Sequence, residues 1–186
     1  MPTSPSSFSA VKVDLQYLAW RLALLLGIAV GLAAIFSRDS VRYGTTPELR
    51  VPVVGVEARD LVDSFTDPRD EDRVHKAIDI PAPRGTLVVA ATAGRIDAIF
   101  SSTNGGLAAY QIDGTRTRCF YYAHLDRYAQ GLEEGHYLNP GDSIGYVGTT
   151  GNAPDDVPHL HFAVLSVTET TRCSDGRPLN PIALFR

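Results

Sequence analysis

Apolar residues are arranged in two different ways along this chain. Near the N-terminus they form one block. Residues 22–36 read LALLLGIAVGLAAIF without a charge, and extension back to Tyr17 gives twenty residues with Arg21 as their single charge. A helix of that length rises roughly 30 Å, about the hydrocarbon thickness of a bilayer. Arg21 can snorkel from one end, where Tyr17 and Trp20 suit the interfacial belt. The pattern favours an uncleaved transmembrane signal anchor over residues 17–36. A cleaved signal peptide, with a small-x-small site near Gly31-Leu32-Ala33, is a second reading. A buried core helix fits less well, because the block is apolar all round. Charge does not orient the span: Lys12 and Arg21 precede it, and Arg38, Arg42 and Arg50 follow it.

From about Val51 onward the pattern changes. Short runs rich in Val, Ile, Tyr and Phe (VPVVGV, GTLVVAATAG, RIDAIFSS, LAAYQI, RCFYYAHL, SIGYVG, HLHFAVL) alternate with turn formers such as TNGG, NPGD and GTTGNAPDD. A period of 3.6 is missing, apart from a possible helical turn at PIALF. The expected fold class is mostly β, a compact antiparallel sandwich or barrel-like domain preceded by one N-terminal transmembrane helix. The expected organisation is a polar tail at 1–16, the span at 17–36, a charged linker at 37–50 and one domain at 51–186.

Composition narrows the picture. Hydrophobic residues make up 44% and charged residues 20%, so a packed core is feasible. The net charge of −4 supplies no basic footprint for nucleic acid, which is not expected as a partner. The two cysteines, Cys119 and Cys173, cannot make a four-cysteine zinc site; they are either buried thiols or one disulfide.

The candidate chemistry lies in the histidines, all five of which follow residue 51. His159 and His161 form HLH. On a strand they share a face while Leu160 points the other way. His75 and Asp79 are four apart, which suits a helix face or a loop entering a strand; Pro81 and Pro83 favour the strand. His124 ends a β-prone run, and alone it would be a half-buried histidine bonded to a backbone carbonyl. His136 sits in a turn-rich polar stretch and is assigned no role. A catalytic zinc site needs three protein ligands and an open position. His75, Asp79 and one HLH histidine supply three, leaving the other HLH histidine and His124 as bases beside the metal.

The ordered set HKAID, YYAHLDRY, GDSIGYVGTTGNA and PHLHF resembles the lysostaphin-type (LytM-like) zinc metalloendopeptidases, from about Val51 to the C-terminus. The resemblance implies a compact antiparallel β fold, a Zn2+ cofactor and hydrolysis of peptide cross-links in bacterial peptidoglycan. It implies that His75, Asp79 and His161 hold the metal, that His159 helps activate water, and that His124 helps stabilise the tetrahedral intermediate. Two positions depart from the family pattern: Ala77 and Val157 stand where Gly is frequent, and neither removes a ligand. Peptidoglycan as substrate implies a single-pass protein of the cytoplasmic membrane with its catalytic domain on the outer side. Tyr121, Tyr122 and Phe162 either shape the substrate groove or pack across strands. The rival expectation is a non-catalytic wall-binding or hydrolase-activating module with a structural zinc site; a third is a zinc peptidase acting on protein.

Overall fold

The computed structural model describes residues 49–69 and 73–185. The β-branched and aromatic runs form the strands. A small hairpin comes first, from β1 (Pro68–Arg69) and β2 (Arg73–Val74). The sheet is then built from β3 (Ile78–Pro81), β4 (Leu87–Val89), β5 (Gly94–Ser102), β6 (Gly106–Asp113) and β7 (Arg118–Tyr128). It is completed by β8 (Tyr137–Leu138), β9 (Ser143–Val147), β10 (His159–Ser166) and β11 (Arg177–Leu179). The sequence run VPVVGV contributes one isolated bridge, Val53 to Val88, in place of a strand. PIALF becomes a 3-10 turn at Pro181–Leu184, capped by the Asn180 side chain, which accepts from the Ile182 N–H.

All the named pairings are antiparallel. The main order is β11-β10-β7-β6-β5-β8; β3 also pairs with β10, and β9 joins β7 to β4. Alternation along the strands separates two faces. Ile78 and Ile80 of β3, Phe120 and Tyr122 of β7, and Leu160, Phe162 and Val164 of β10 are essentially inaccessible and fill one continuous core. Each such side chain contributes about 1.5–3 kcal/mol by leaving water. A smaller cluster of Ile112, Leu165 and Val167 surrounds the disulfide that Cys119 and Cys173 form.

Two expectations are corrected here. The sheet branches at β7 and β10 and does not close on itself, so the domain is an open antiparallel sheet and not a barrel. The predicted transmembrane helix has no counterpart among the described residues. Among the described residues no helix is long and apolar enough to cross a membrane, and residues 17–36 themselves lie outside the described residues. The described helical pieces are 3-10 turns of three or four residues. The membrane as a partner, and single-pass placement with an external catalytic domain, rested on that helix and find no support among the described residues.

Candidate metal centre

Three strands meet at the site. On β10, His161 stands directly opposite Asp79 of β3 on one side and Ala123 of β7 on the other. Pleating puts His159 and His161 on the same face as Asp79, while their neighbours Leu160, Phe162, Ile78 and Ile80 are locked in the core behind them. His75 arrives from the turn just before β3. Its backbone N–H donates to Asp67 O, and the Lys76 N–H donates to Phe65 O. Lys76 adopts a left-handed φ of 60°, which completes the turn into the strand.

His124 reaches the same face by a different route. Strict alternation would send it to the core side with Tyr122. Between the pairs Ala109–Tyr122 and Leu107–Leu125, β7 carries one residue more than β6. The bulge falls at Ala123–His124, with His124 at φ 59° and its N–H donated to Gly105 O at 2.8 Å. A bulge of this kind re-aims a side chain.

The ligand atoms converge closely. His75 Nε2, Asp79 Oδ1 and His161 Nδ1 are each 3.1 Å from the other two. Ligand atoms about 2.0–2.2 Å from a zinc ion lie roughly 3.3–3.6 Å apart in a tetrahedron, so this triangle is close to the spacing zinc requires. Tautomers agree with the distances. His75 Nδ1 donates its proton to Ser64 O at 3.0 Å, which leaves Nε2 with a lone pair facing the centre. The residues therefore suit a divalent ion. Among the described residues, this trio is the one group of acidic, His or Cys side chains so arranged.

The two remaining histidines flank the trio. The His124 ring centroid is 4.9 Å from that of His159 and 5.5 Å from that of His161. His124 Nδ1 donates to Thr150 O and His159 Nδ1 donates to Val157 O, each at 2.8 Å. Both rings therefore turn Nε2 inward as an acceptor, with His159 Nε2 lying 3.7 Å from Asp79 Oδ1. Charges are held accordingly. Burial pushes the Asp79 carboxyl up, but the adjoining His161 and His75 imidazoles outweigh it and hold the group well below the usual carboxylate range. Burial pushes His124 down to about 4, against the opposing Thr150 carbonyl. Burial likewise lowers His161, with Asp79 opposing.

A cleft of about 460 Å³ opens over these residues, bordered by Asn104, Tyr121, Asn152 and Pro154 among others. A second hollow of similar volume, along residues 49–58, holds no ligating cluster. All five site residues expected from sequence meet at the cleft. His136 is exposed and outside it. Of the three aromatics, Tyr121 borders the cleft, whereas Tyr122 and Phe162 are core residues. Sequence reasoning missed Ser64 and Arg69. Arg69 Nη2 donates to Asp79 Oδ2 at 2.6 Å. Neither residue carries a spacing signal that ties it to the histidines.

Comparison with known proteins gives consistent results. The pattern of Peptidase family M23 matches residues 73–181. An L-Ala–D-Glu endopeptidase of Bacillus subtilis (strain 168) is 32% identical over 97 residues, covering 50% of this chain and 29% of that protein. Lysostaphin of Staphylococcus staphylolyticus is 33% identical over 90 residues, covering 48% of this chain and 18% of that protein. The solved structure of Helicobacter pylori Csd3 shares the fold with a TM-score of 0.58 and 28% identity, over 75% of this chain and 35% of that one. The chain thus spans less than a third of the curated relatives it matches.

Proposed function

Because this chain belongs to peptidase family M23, we propose that it is a zinc-dependent endopeptidase that hydrolyses peptide cross-links of bacterial peptidoglycan. The observation that carries this reading is the 3.1 Å triangle of His75 Nε2, Asp79 Oδ1 and His161 Nδ1, with two inward-facing imidazole nitrogens beside it. The name of the Bacillus relative specifies cleavage between an L- and a D-amino acid, which is chemistry of wall peptides.

His75, Asp79 and His161 would hold the zinc. When bound, zinc supplies a Lewis acid that polarises the scissile carbonyl and makes water acidic enough to attack at neutral pH. The protein's own groups manage the protons. His159 Nε2 presents a lone pair to the cleft and accepts the proton lost by the attacking water. Once protonated, the same nitrogen can donate to the departing amine. His124 shares this tautomer, so its Nε2 donates to the developing oxyanion only after gaining a proton. Tyr121 forms part of the wall along which the peptide lies.

The test uses purified protein and isolated peptidoglycan, with released fragments identified by mass spectrometry. Cleavage of a peptide cross-link is expected, abolished by a chelator and restored by zinc. His161→Ala should lose both zinc and activity. His159→Ala should keep zinc while turnover falls by about 10²–10⁴-fold, the usual cost of a lost general base. Zinc-loaded protein that cuts nothing but stimulates a separate wall hydrolase would replace this reading with the non-catalytic one. Undiminished turnover in His159→Ala would remove the role given to that residue.

A further inference from the structure

We propose that residues 63–69, which precede the family-matched stretch, form a strap that selects which atoms of His75 and Asp79 face the metal. The inference rests on the reading of His75, Asp79 and His161 as a zinc site. The strap runs alongside the ligand-bearing segment in antiparallel fashion. Pro68 pairs with Val74 and Arg69 with Arg73. Beyond that pairing, Asp67 O and Phe65 O accept the N–H groups of His75 and Lys76.

Three contacts from the strap act on the ligands. Ser64 O takes the Nδ1 proton of His75 at 3.0 Å, which leaves Nε2 as the only free lone pair on that ring. Ser64 Oγ accepts from the Asp79 N–H at 3.3 Å and fixes the backbone from which the carboxylate projects. Arg69 engages Asp79 Oδ2 at 2.6 Å, so that Oδ1 alone faces the two histidine nitrogens. The strap is itself anchored. Asp63 Oδ1 accepts from the Phe65 N–H, and its Oδ2 accepts from the Asn180 side chain at the far end of the described residues. A carboxylate with one oxygen engaged elsewhere is a one-oxygen ligand, which keeps the coordination number low and a position open for water.

Zinc affinity and cobalt absorption test this independently of turnover. The full chain and its variants are stripped of metal. They are then titrated with zinc against a chromophoric chelator and, separately, with cobalt(II) while the visible bands are recorded. Ser64→Ala is expected to weaken zinc binding about tenfold, within the range seen when such supporting contacts are removed. Ser64→Thr, which restores a hydroxyl, should recover most of the loss. Arg69→Gln, at an exposed position, should bind cobalt with weaker visible bands, as both oxygens of Asp79 become available and the coordination number rises. Parent protein that binds both ions while all three variants match it removes the strap and leaves the zinc site intact. Parent protein that binds neither ion removes the zinc reading, and the strap with it.

Discussion

His124 concentrates much of the physics of this site in one side chain. It sits on a strand at a left-handed φ, it is almost fully buried, and its one proton is committed to the Thr150 carbonyl. A non-glycine residue held there costs on the order of 1 kcal/mol or more, and such outliers gather at functional sites. Burial also keeps the ring neutral, with its pKa lowered from 6.5 to about 4. In the unfolded chain the same ring titrates near its ordinary value. Between those limits the unfolded state binds more protons, so stability rises with pH and falls as pH drops from about 6.5 toward 4. One such proton corresponds to about 1.4 kcal/mol per pH unit. Urea unfolding of chelator-treated protein across this window should show that slope, and His124→Asn should flatten it by up to one proton. An unchanged slope in the variant would mean that other groups, His161 among them, carry the effect. Little of this was legible in the sequence. The residue was identified through its motif, whereas periodicity alone would have sent it into the core with Tyr122. The bulge that rescues it depends on β6 being one residue short opposite β7, and no local signal in CFYYAHLDRY reveals the length of a partner strand.

The strands show where patterning succeeds. HLH and HKAID were readable because their functional residues obey a period of two and their neighbours are strongly apolar. Leu160 and Ile78 fix β10 and β3 in the core, and the ligands follow on the other face. Two close approaches between loops were not readable. At Gly106 a Cβ would collide with Thr150 and Gly151, and at Gly151 it would collide with Asn104 and Gly106. These glycines let the β5–β6 turn seat against the loop that bears the Thr150 carbonyl, the acceptor for His124. The disulfide was left open by sequence and is settled by geometry. It ties the start of β7 to the 3-10 turn at Cys173–Asp175, across a sequence separation of 54. A loop of that size is worth about 4 kcal/mol in the chain-entropy account, and measured values cluster around 2–4. The Cys119→Ala/Cys173→Ala double variant should unfold at lower denaturant by that amount. Zinc content should not change, because the bridge lies opposite Leu165, beyond the histidines on β10. An unfolding midpoint equal to the parent's would show that the bridge adds nothing to the packed cluster of Ile112, Leu165 and Val167.

Taken together, the described residues form a two-stranded hairpin and a nine-stranded sheet, and the larger sheet carries the chemistry on a face backed by a continuous core. The mostly β, antiparallel character followed from composition and punctuation. Closure into a barrel did not follow, because closure depends on strand order, and the branch through β9 and β4 comes from long-range pairing that leaves no mark in any short window. The N-terminal span was argued from apolar length and from Arg21, Tyr17 and Trp20 at its end; it lies outside the described residues, among which no helix is long and apolar enough to cross a membrane. One pairing has a practical consequence. Leu49 and Phe185, the first and last positions described, form a bridge with each other. The polypeptide therefore enters and leaves this body through a single doorway. A short Gly/Ser join between residues 185 and 49, with new ends opened at the exposed turn between Gln130 and Gly131, should give a permuted protein that still melts cooperatively and still binds zinc. By the same reasoning the whole cassette could be spliced into a surface loop of an unrelated host without prying that host apart.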